Sequence, residues 1–195
     1  MKDLNINPKF LPFDKVDSRY FIYTGGRGSG KSYAVAGALV YLSLTSNQTI
    51  LFTRYTLRSA SISIIPEFKD KLETMGIMHL FKITRDEIIN ISNGSKILFR
   101  GIKTSSGDQT ANLKSLQGIT TWVMDEAEEL IDESIFDKID LSVREKSADN
   151  RVILILNPAT KEHWIYQRFF ESKGIESGQC ITKGDITYMH STYKD

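Results

Sequence analysis

Cysteine is almost missing from this chain, since Cys180 is the single one among 195 residues. A disulfide framework is excluded, and a reducing, intracellular setting is the expectation. Histidine is scarce as well: His79, His163 and His190 lie far apart, so no zinc-ligand spacing exists. No run approaches 18 consecutive apolar residues, and MKDLNINPKF lacks the apolar core of a signal peptide. Neither a membrane span nor a secretory leader is expected, only a soluble protein. An excess of one charge is also lacking: 25 Lys and Arg stand against 24 Asp and Glu, a formal charge of +1. Composition alone therefore does not suggest DNA or another polyanion as partner. With 41% hydrophobic residues the chain can bury a full core, as one domain or a domain with an appendage.

What is present begins with Gly25-Gly26-Arg27-Gly28-Ser29-Gly30-Lys31-Ser32, a complete G-x-x-x-x-G-K-[ST] phosphate-loop pattern. It follows the apolar run Tyr20 to Tyr23 and precedes Tyr33 to Leu44, an Ala- and Leu-rich stretch broken only by Gly37, so strand, loop and helix come in the required order. Glycines let the backbone curl until successive N–H groups point at phosphate oxygens, and the helix adds its positive N-terminal end. In such a loop Lys31 reaches the β- and γ-phosphates of ATP and Ser32 ligates Mg²⁺. The chain is thereby placed among nucleotide triphosphatases.

Thr49 to Thr53 reads as a second buried strand, parallel to the first, and Leu57 to Met75 as mostly helix, started or kinked at Pro66. Ile88 to Ser92 and Lys96 to Arg100 flank Asn93-Gly94, an antiparallel hairpin signal. Gly101 to Gly118 is polar and reads as a long exposed loop. Thr121 to Met124 is a short buried strand ended by Asp125-Glu126, and Glu133 to Glu145 reads as helix. Val152 to Leu156 is a further strand ending at Asn157-Pro158, with a helix from His163 to Glu171 behind it. A last small hairpin is expected around Gly184-Asp185.

Asp125 closes an apolar strand, where a second nucleotide motif supplies a carboxylate to the metal. Glu126 then points to the other side of the strand end, toward the place of an attacking water, as candidate general base. Asn157 ends the next strand and is placed to sense the γ-phosphate by hydrogen bonding, because carboxyl ends of parallel strands converge on the ligand crevice. Arg27, Arg54, Arg58 and Lys114 are the basic groups best placed to stabilise transferred charge. Lys69, Lys71, Lys82 and Arg85, or Lys161, Arg168 and Lys173, are candidates for a basic patch.

Taken together, GGRGSGKS, KSLQGITTWVMDEAEEL, ILNPATKEHWIYQRFF and HSTYKD resemble the large terminase subunit of tailed bacteriophages, the ATP-driven motor that packages DNA, over nearly the whole chain. The resemblance implies an α/β P-loop NTPase of the additional-strand catalytic-glutamate type, its mainly parallel sheet flanked by helices and extended by an antiparallel hairpin. It places Lys31 and Ser32 on Walker A, Asp125 on Walker B, Glu126 on the catalytic glutamate, Asn157 on the coupling motif and Arg27 on a γ-phosphate arginine. ATP and Mg are the implied ligands; double-stranded DNA, the portal protein and the small terminase subunit are the implied partners. A homo-oligomeric ring on the procapsid is implied in the host cytoplasm, with the isolated domain monomeric. Where some terminases carry a trans-acting arginine this chain has Gln117, leaving Lys114, Arg54 or Arg58 as candidates. The expected division is an ATPase domain over 1–178 and the start of a linker over 179–195, without nuclease activity. Another P-loop ATPase, such as a helicase or recombinase-like protein, and a nucleotide-gated interaction module are the alternative readings.

Overall fold

A computed structural model describes residues 4–11, 16–45, 47–56, 60–104, 107–108, 113, 116–146, 148–158, 160–176 and 178–194. Strand β1 (Tyr20–Gly25) leads into α1 (Lys31–Thr45), followed by β2 (Thr49–Thr56) and, after a π-helical turn, α2 (Ile65–Thr74). Next come β3 (Phe81–Ile83), β4 (Glu87–Asn90), β5 (Lys96–Thr104) and β6 (Gly107–Asp108). β7 (Thr121–Asp125) precedes α3 (Glu133–Asp140), β8 (Arg151–Leu156) precedes α4 (Trp164–Phe169), and β9 (Ile181–Lys183) and β10 (Ile186–Ser191) follow.

The ten strands of the described residues join one sheet in the order β3-β4-β5-β2-β7-β8-β1-β10-β9, with β6 on β5. The six strands from β5 to β10 in that order run parallel. β8 stands between the phosphate-loop strand β1 and the acidic-ended β7, which is the additional strand the fold class requires. As a consequence β1 and β2 are parallel but not neighbours, and α1 crosses over two intervening strands.

Side chains alternate across the sheet because successive Cβ atoms of a strand point to opposite faces. Phe21, Tyr23, Phe52, Val123 and Ile155 join α1 and α2 in one core, while Ile22, Leu51, Trp122, Leu154 and Leu156 join α3 and α4 in the other. Both faces are covered, which is why the central strands read as unbroken apolar runs. On the second face Phe136 lies 5.1 Å from Trp122, 4.9 Å from Trp164 and 5.9 Å from Phe169, ring centre to ring centre. Helix α1 is buried nearly all round, from Ala34 to Val40. Its outer side is covered by the N-terminal segment: a Cβ at Gly37 would lie 2.3 Å from Ile6 Cδ1.

Several elements differ from expectation. The hairpin forms with Ile88 opposite Ile97 and Ile89 opposite Lys96, but the connection is longer than two residues, and Gly94 alone of the Asn-Gly pair takes positive φ. Strand β3 adds to that hairpin as an unexpected edge. Gly101 to Thr104, expected as loop, continue β5, and Ile102 and Leu113 are buried, while 105–106, 109–112 and 114–115 lie outside the described residues. Helix α3 ends at Asp140 rather than Glu145 because Arg19 donates to the carbonyls of Asp140 and Val143 and draws the chain into a turn. The small hairpin expected around Gly184-Asp185 forms as β9 and β10, but within 179–195, read from sequence as the start of a linker, β10 pairs in parallel with β1 from Tyr20–Ile186 to Gly25–Ser191.

That last pair is tight. Gly25 has φ +151° and a Cβ there would lie 2.2 Å from the Ser191 carbonyl oxygen, a backbone atom that cannot step aside alone. Gly25→Ala is therefore expected to lower stability by about 2 kcal/mol or more, through strain and a displaced β10. Urea unfolding measures it.

Candidate nucleotide site

The carboxyl ends of β1, β2, β7 and β8 meet around a cavity of about 480 Å³. It is lined by Arg27, Gly28, Ser29, Gly30, Lys31 and Ser32 from the loop and the start of α1, and by Arg54, Asp125, Glu126 and Asn157 from the strand ends. The loop curls as glycine permits, with Gly28 and Gly30 both at φ +77°. Among the sequence candidates, Arg27 is exposed at this cavity, whereas Gly25 and Gly26 serve through their carbonyls. Ser29 Oγ accepts from Ser191 Oγ at 2.9 Å, so β10 braces the loop from outside.

Lys31 folds back over its own loop. Its Nζ donates to the carbonyls of Gly25 at 2.7 Å and Gly26 at 2.9 Å, and reaches Ser29 Oγ at 3.2 Å and Asn157 Oδ1 at 3.4 Å. Burial pulls its pKa below the usual lysine value, against the opposing influence of the Glu128 and Asp125 carboxylates. An ammonium held by neutral acceptors in a half-dry site has a strong reason to exchange them for phosphate oxygens.

Asp125 is 2% exposed, and both its oxygens are engaged. Oδ1 accepts from Ser32 Oγ at 3.1 Å; Oδ2 accepts from Arg54 Nε at 2.8 Å and lies 2.7 Å from Arg54 Nη2. Arg54 also stands 3.5 Å from Glu126 Oε1 and donates to Ser63 Oγ at 3.0 Å. A serine hydroxyl beside a carboxylate is a hard oxygen pair that suits Mg²⁺. Glu126 takes φ +55°, the one non-glycine residue with positive φ among those described, and so turns the chain sharply out of β7. Strain of this kind at a strand end is characteristic of functional sites.

Asn157 is placed beside Lys31, and Glu128 holds it from the other side. Glu128 accepts from Asn157 N at 3.2 Å and Asn157 Nδ2 at 2.6 Å. Sequence reasoning misses Glu128, because only the fold brings residues 128 and 157 together. Arg54, a candidate across-subunit group by sequence, has its guanidinium engaged with Asp125 of its own chain. The register that sets Thr53 opposite Met124, and so Arg54 beside Asp125, has no local signature. Glu67 and Tyr33 also line the cavity. Arg58 and Lys114 lie outside the described residues, and Gln117 is exposed. Of the basic-patch candidates, Lys71 is fully buried, paired with Glu67 at 3.1 Å and 3.5 Å above the Tyr33 ring. Arg168 is bound by Glu133 at 3.0 Å and Asp137 at 2.6 Å. Neither is free to form a patch.

A glycine-rich loop at a helix start, a strand-end aspartate beside its serine, and an inserted strand between them define a P-loop nucleotide fold of the additional-strand class. The phage terminase large subunit family model matches residues 17–195, and the chain belongs to that family. The PBSX phage terminase large subunit of Bacillus subtilis (strain 168) is 27% identical over 202 residues, covering 97% of this chain and 45% of that protein. The chain thus spans about half the length of this curated relative. Among solved structures, the large terminase of a thermophilic bacteriophage aligns with TM-score 0.75 at 15% identity, over 96% of this chain and 45% of its own. The same terminase has been solved in complex with ATP-gamma-S. The large terminase ATPase domain of Thermus phage P74-26 aligns with TM-score 0.66 at 18% identity, over 97% of this chain and 80% of its own.

Removing Arg54 leaves a buried carboxylate without its counter-charge. Arg54→Ala is expected to cost about 3 kcal/mol in urea unfolding without divalent cations. Added Mg²⁺ should recover part of that loss, which Arg54→Ala in EDTA would not show.

Proposed function

We propose that this chain is an ATPase domain that powers packaging of viral double-stranded DNA, and that the cavity at the carboxyl ends of β1, β7 and β8 is where ATP binds and is hydrolysed. The observation that carries this reading is the position of Lys31, whose ammonium is gathered at the loop by groups it can trade for phosphate. Arrival of the triphosphate exchanges two carbonyl acceptors for charged ones, and the backbone N–H groups at the start of α1 add their own attraction. Arg27, exposed at the same cavity, supplies a second positive group toward the γ-phosphate.

Ser32 and Asp125 would hold Mg²⁺, which when bound neutralises charge on the phosphate oxygens. Asp125 is too fully occupied to serve as base as well. Glu126 lines the cavity, with its side chain 36% exposed and only a 3.5 Å approach to Arg54, so it is the carboxylate free to orient and deprotonate the attacking water. Asn157 touches Lys31 from the end of the neighbouring strand and reports the state of the phosphate.

The family's DNA, portal and small-subunit partners, its ring on the procapsid and its place in the host cytoplasm extend this reading to the whole motor. With Lys71 and Arg168 committed internally, DNA contact by this domain rests on exposed groups such as Lys69, Lys82 and Lys161. No nuclease activity is assigned to these residues. Alone in solution the domain is expected to be monomeric and slow, since a group supplied by a neighbour is worth roughly a thousandfold or more in rate.

Steady-state ATP hydrolysis at high protein concentration tests the assignment. Glu126→Gln is expected to lower turnover at least about a hundredfold while ATP still binds, and Lys31→Ala to lose binding itself. Binding without turnover by the unaltered chain, even with DNA, would favour a nucleotide-gated module instead. A Glu126→Gln protein as active as the parent would remove Glu126 from the chemistry.

A further inference from the structure

We propose that Glu128 is a positioning residue that determines which end of the Asn157 amide faces the nucleotide, and that it passes a change at that amide to α4 through His163. The inference rests on the nucleotide reading above but concerns Glu128 and His163, which that reading leaves without a role.

The amide orientation follows from hydrogen-bond chemistry. A carboxylate only accepts, so the Asn157 atom 2.6 Å from Glu128 Oε1 is the NH₂ group, and Oδ1 is the atom that turns to Lys31 Nζ at 3.4 Å. A second bond, from Asn157 N to Glu128 Oε2 at 3.2 Å, pins the backbone at the end of β8 to the same carboxylate. A terminal phosphate also offers acceptors only. Against it Oδ1 is the wrong end, and presenting Nδ2 means releasing the 2.6 Å bond and setting Oδ1 against the Glu128 carboxylate. The two orientations are therefore discrete, and Glu128 has to move when the amide turns.

Glu128 belongs to the short turn Ala127–Glu129 directly behind Glu126. Among the described residues the cavity lining includes Glu126 and not Glu128, so the two carboxylates face different tasks. The backbone carbonyl of Glu128 accepts from His163 Nε2 at 3.1 Å. His163 Nδ1 in turn accepts from Ile165 N at 3.2 Å and caps α4, and since an amide can only donate, the ring proton sits on Nε2. The adjacent Trp164 donates its indole N–H to the Leu130 carbonyl at 2.5 Å, tying α4 to the same segment a second time. A contiguous path thus runs from Asn157 at the cavity to the Glu128 carboxylate, and from the Glu128 carbonyl to His163 and α4, with two alternative arrangements at its first step.

Trp164 provides the readout. A nonhydrolysable ATP analogue with Mg²⁺ is titrated onto the chain, its affinity measured by calorimetry and tryptophan emission followed, with Trp164→Phe identifying the signal against Trp122. Glu128→Ala and Glu128→Gln are expected to bind the analogue within about threefold of the parent. They should lose the emission change and turn over ATP about tenfold more slowly. Asn157→Ala should likewise lose the emission change and slow turnover, and the double variant Glu128→Ala with Asn157→Ala should turn over no more slowly than the Asn157→Ala protein. A Glu128→Ala protein that keeps the parent's emission response and turnover, or a double variant whose losses multiply, overturns the proposal. If the unaltered chain does not bind the analogue, the nucleotide reading fails and this inference with it, which the calorimetry separates from loss of the response alone.

Discussion

A buried carboxylate organises this molecule. Asp125 is taken out of water at the end of β7, and its charge is tolerable only because Ser32 reaches it from α1 and Arg54 from β2. These contacts fix three chain segments relative to one another at the point where the parallel strands end. The phosphate loop is positioned by the same arrangement, since Ser32 stands in the first turn of the helix that the loop feeds. On the far side β10 completes the frame, with Ser191 meeting Ser29 and the bare backbone of Gly25. The loop is thus held from both sides, by Ser32 toward Asp125 and by Ser29 toward β10.

Electrostatically the cavity is balanced but reassignable. Positive Lys31, Arg27 and Arg54 face Asp125, Glu126 and Glu67, and the internal pairings are the ones an incoming triphosphate would compete for. Glu129 illustrates the density of negative charge on the segment after β7: burial raises its pKa, and its neighbours Glu126 and Glu128 raise it further. Adding a polyanion there without a divalent cation would be unfavourable, which is consistent with the hard oxygen pair at Ser32 and Asp125. One short stretch of chain thus turns Glu126 to the cavity and Glu128 to Asn157.

Much of this is legible in the sequence, for identifiable reasons. The phosphate loop is a local pattern, and the apolar runs that precede Asp125 and Asn157 are local too, so these three groups stand out and the fold brings them together. Strand order is harder. Nothing near Thr49 or Thr121 says that β2 and β7 are neighbours, so the ion pair of Arg54 with Asp125 and the grip of Glu128 on Asn157 become visible only with the sheet assembled. Lys71 shows the opposite failure: a lysine in a polar helix reads as exposed, yet Glu67 and the Tyr33 ring make its burial tolerable. The end of α3 escapes a local reading because the group that stops it, Arg19, lies more than a hundred residues away in sequence.

Calorimetric titration of ATP onto the chain, with Mg²⁺ and then with EDTA, tests the central claim most directly. The account predicts one site per chain, binding that weakens sharply when Mg²⁺ is removed, and no binding once Lys31 is replaced by alanine. Binding that is indifferent to Mg²⁺ and to Lys31, or absent at millimolar ATP, would contradict it.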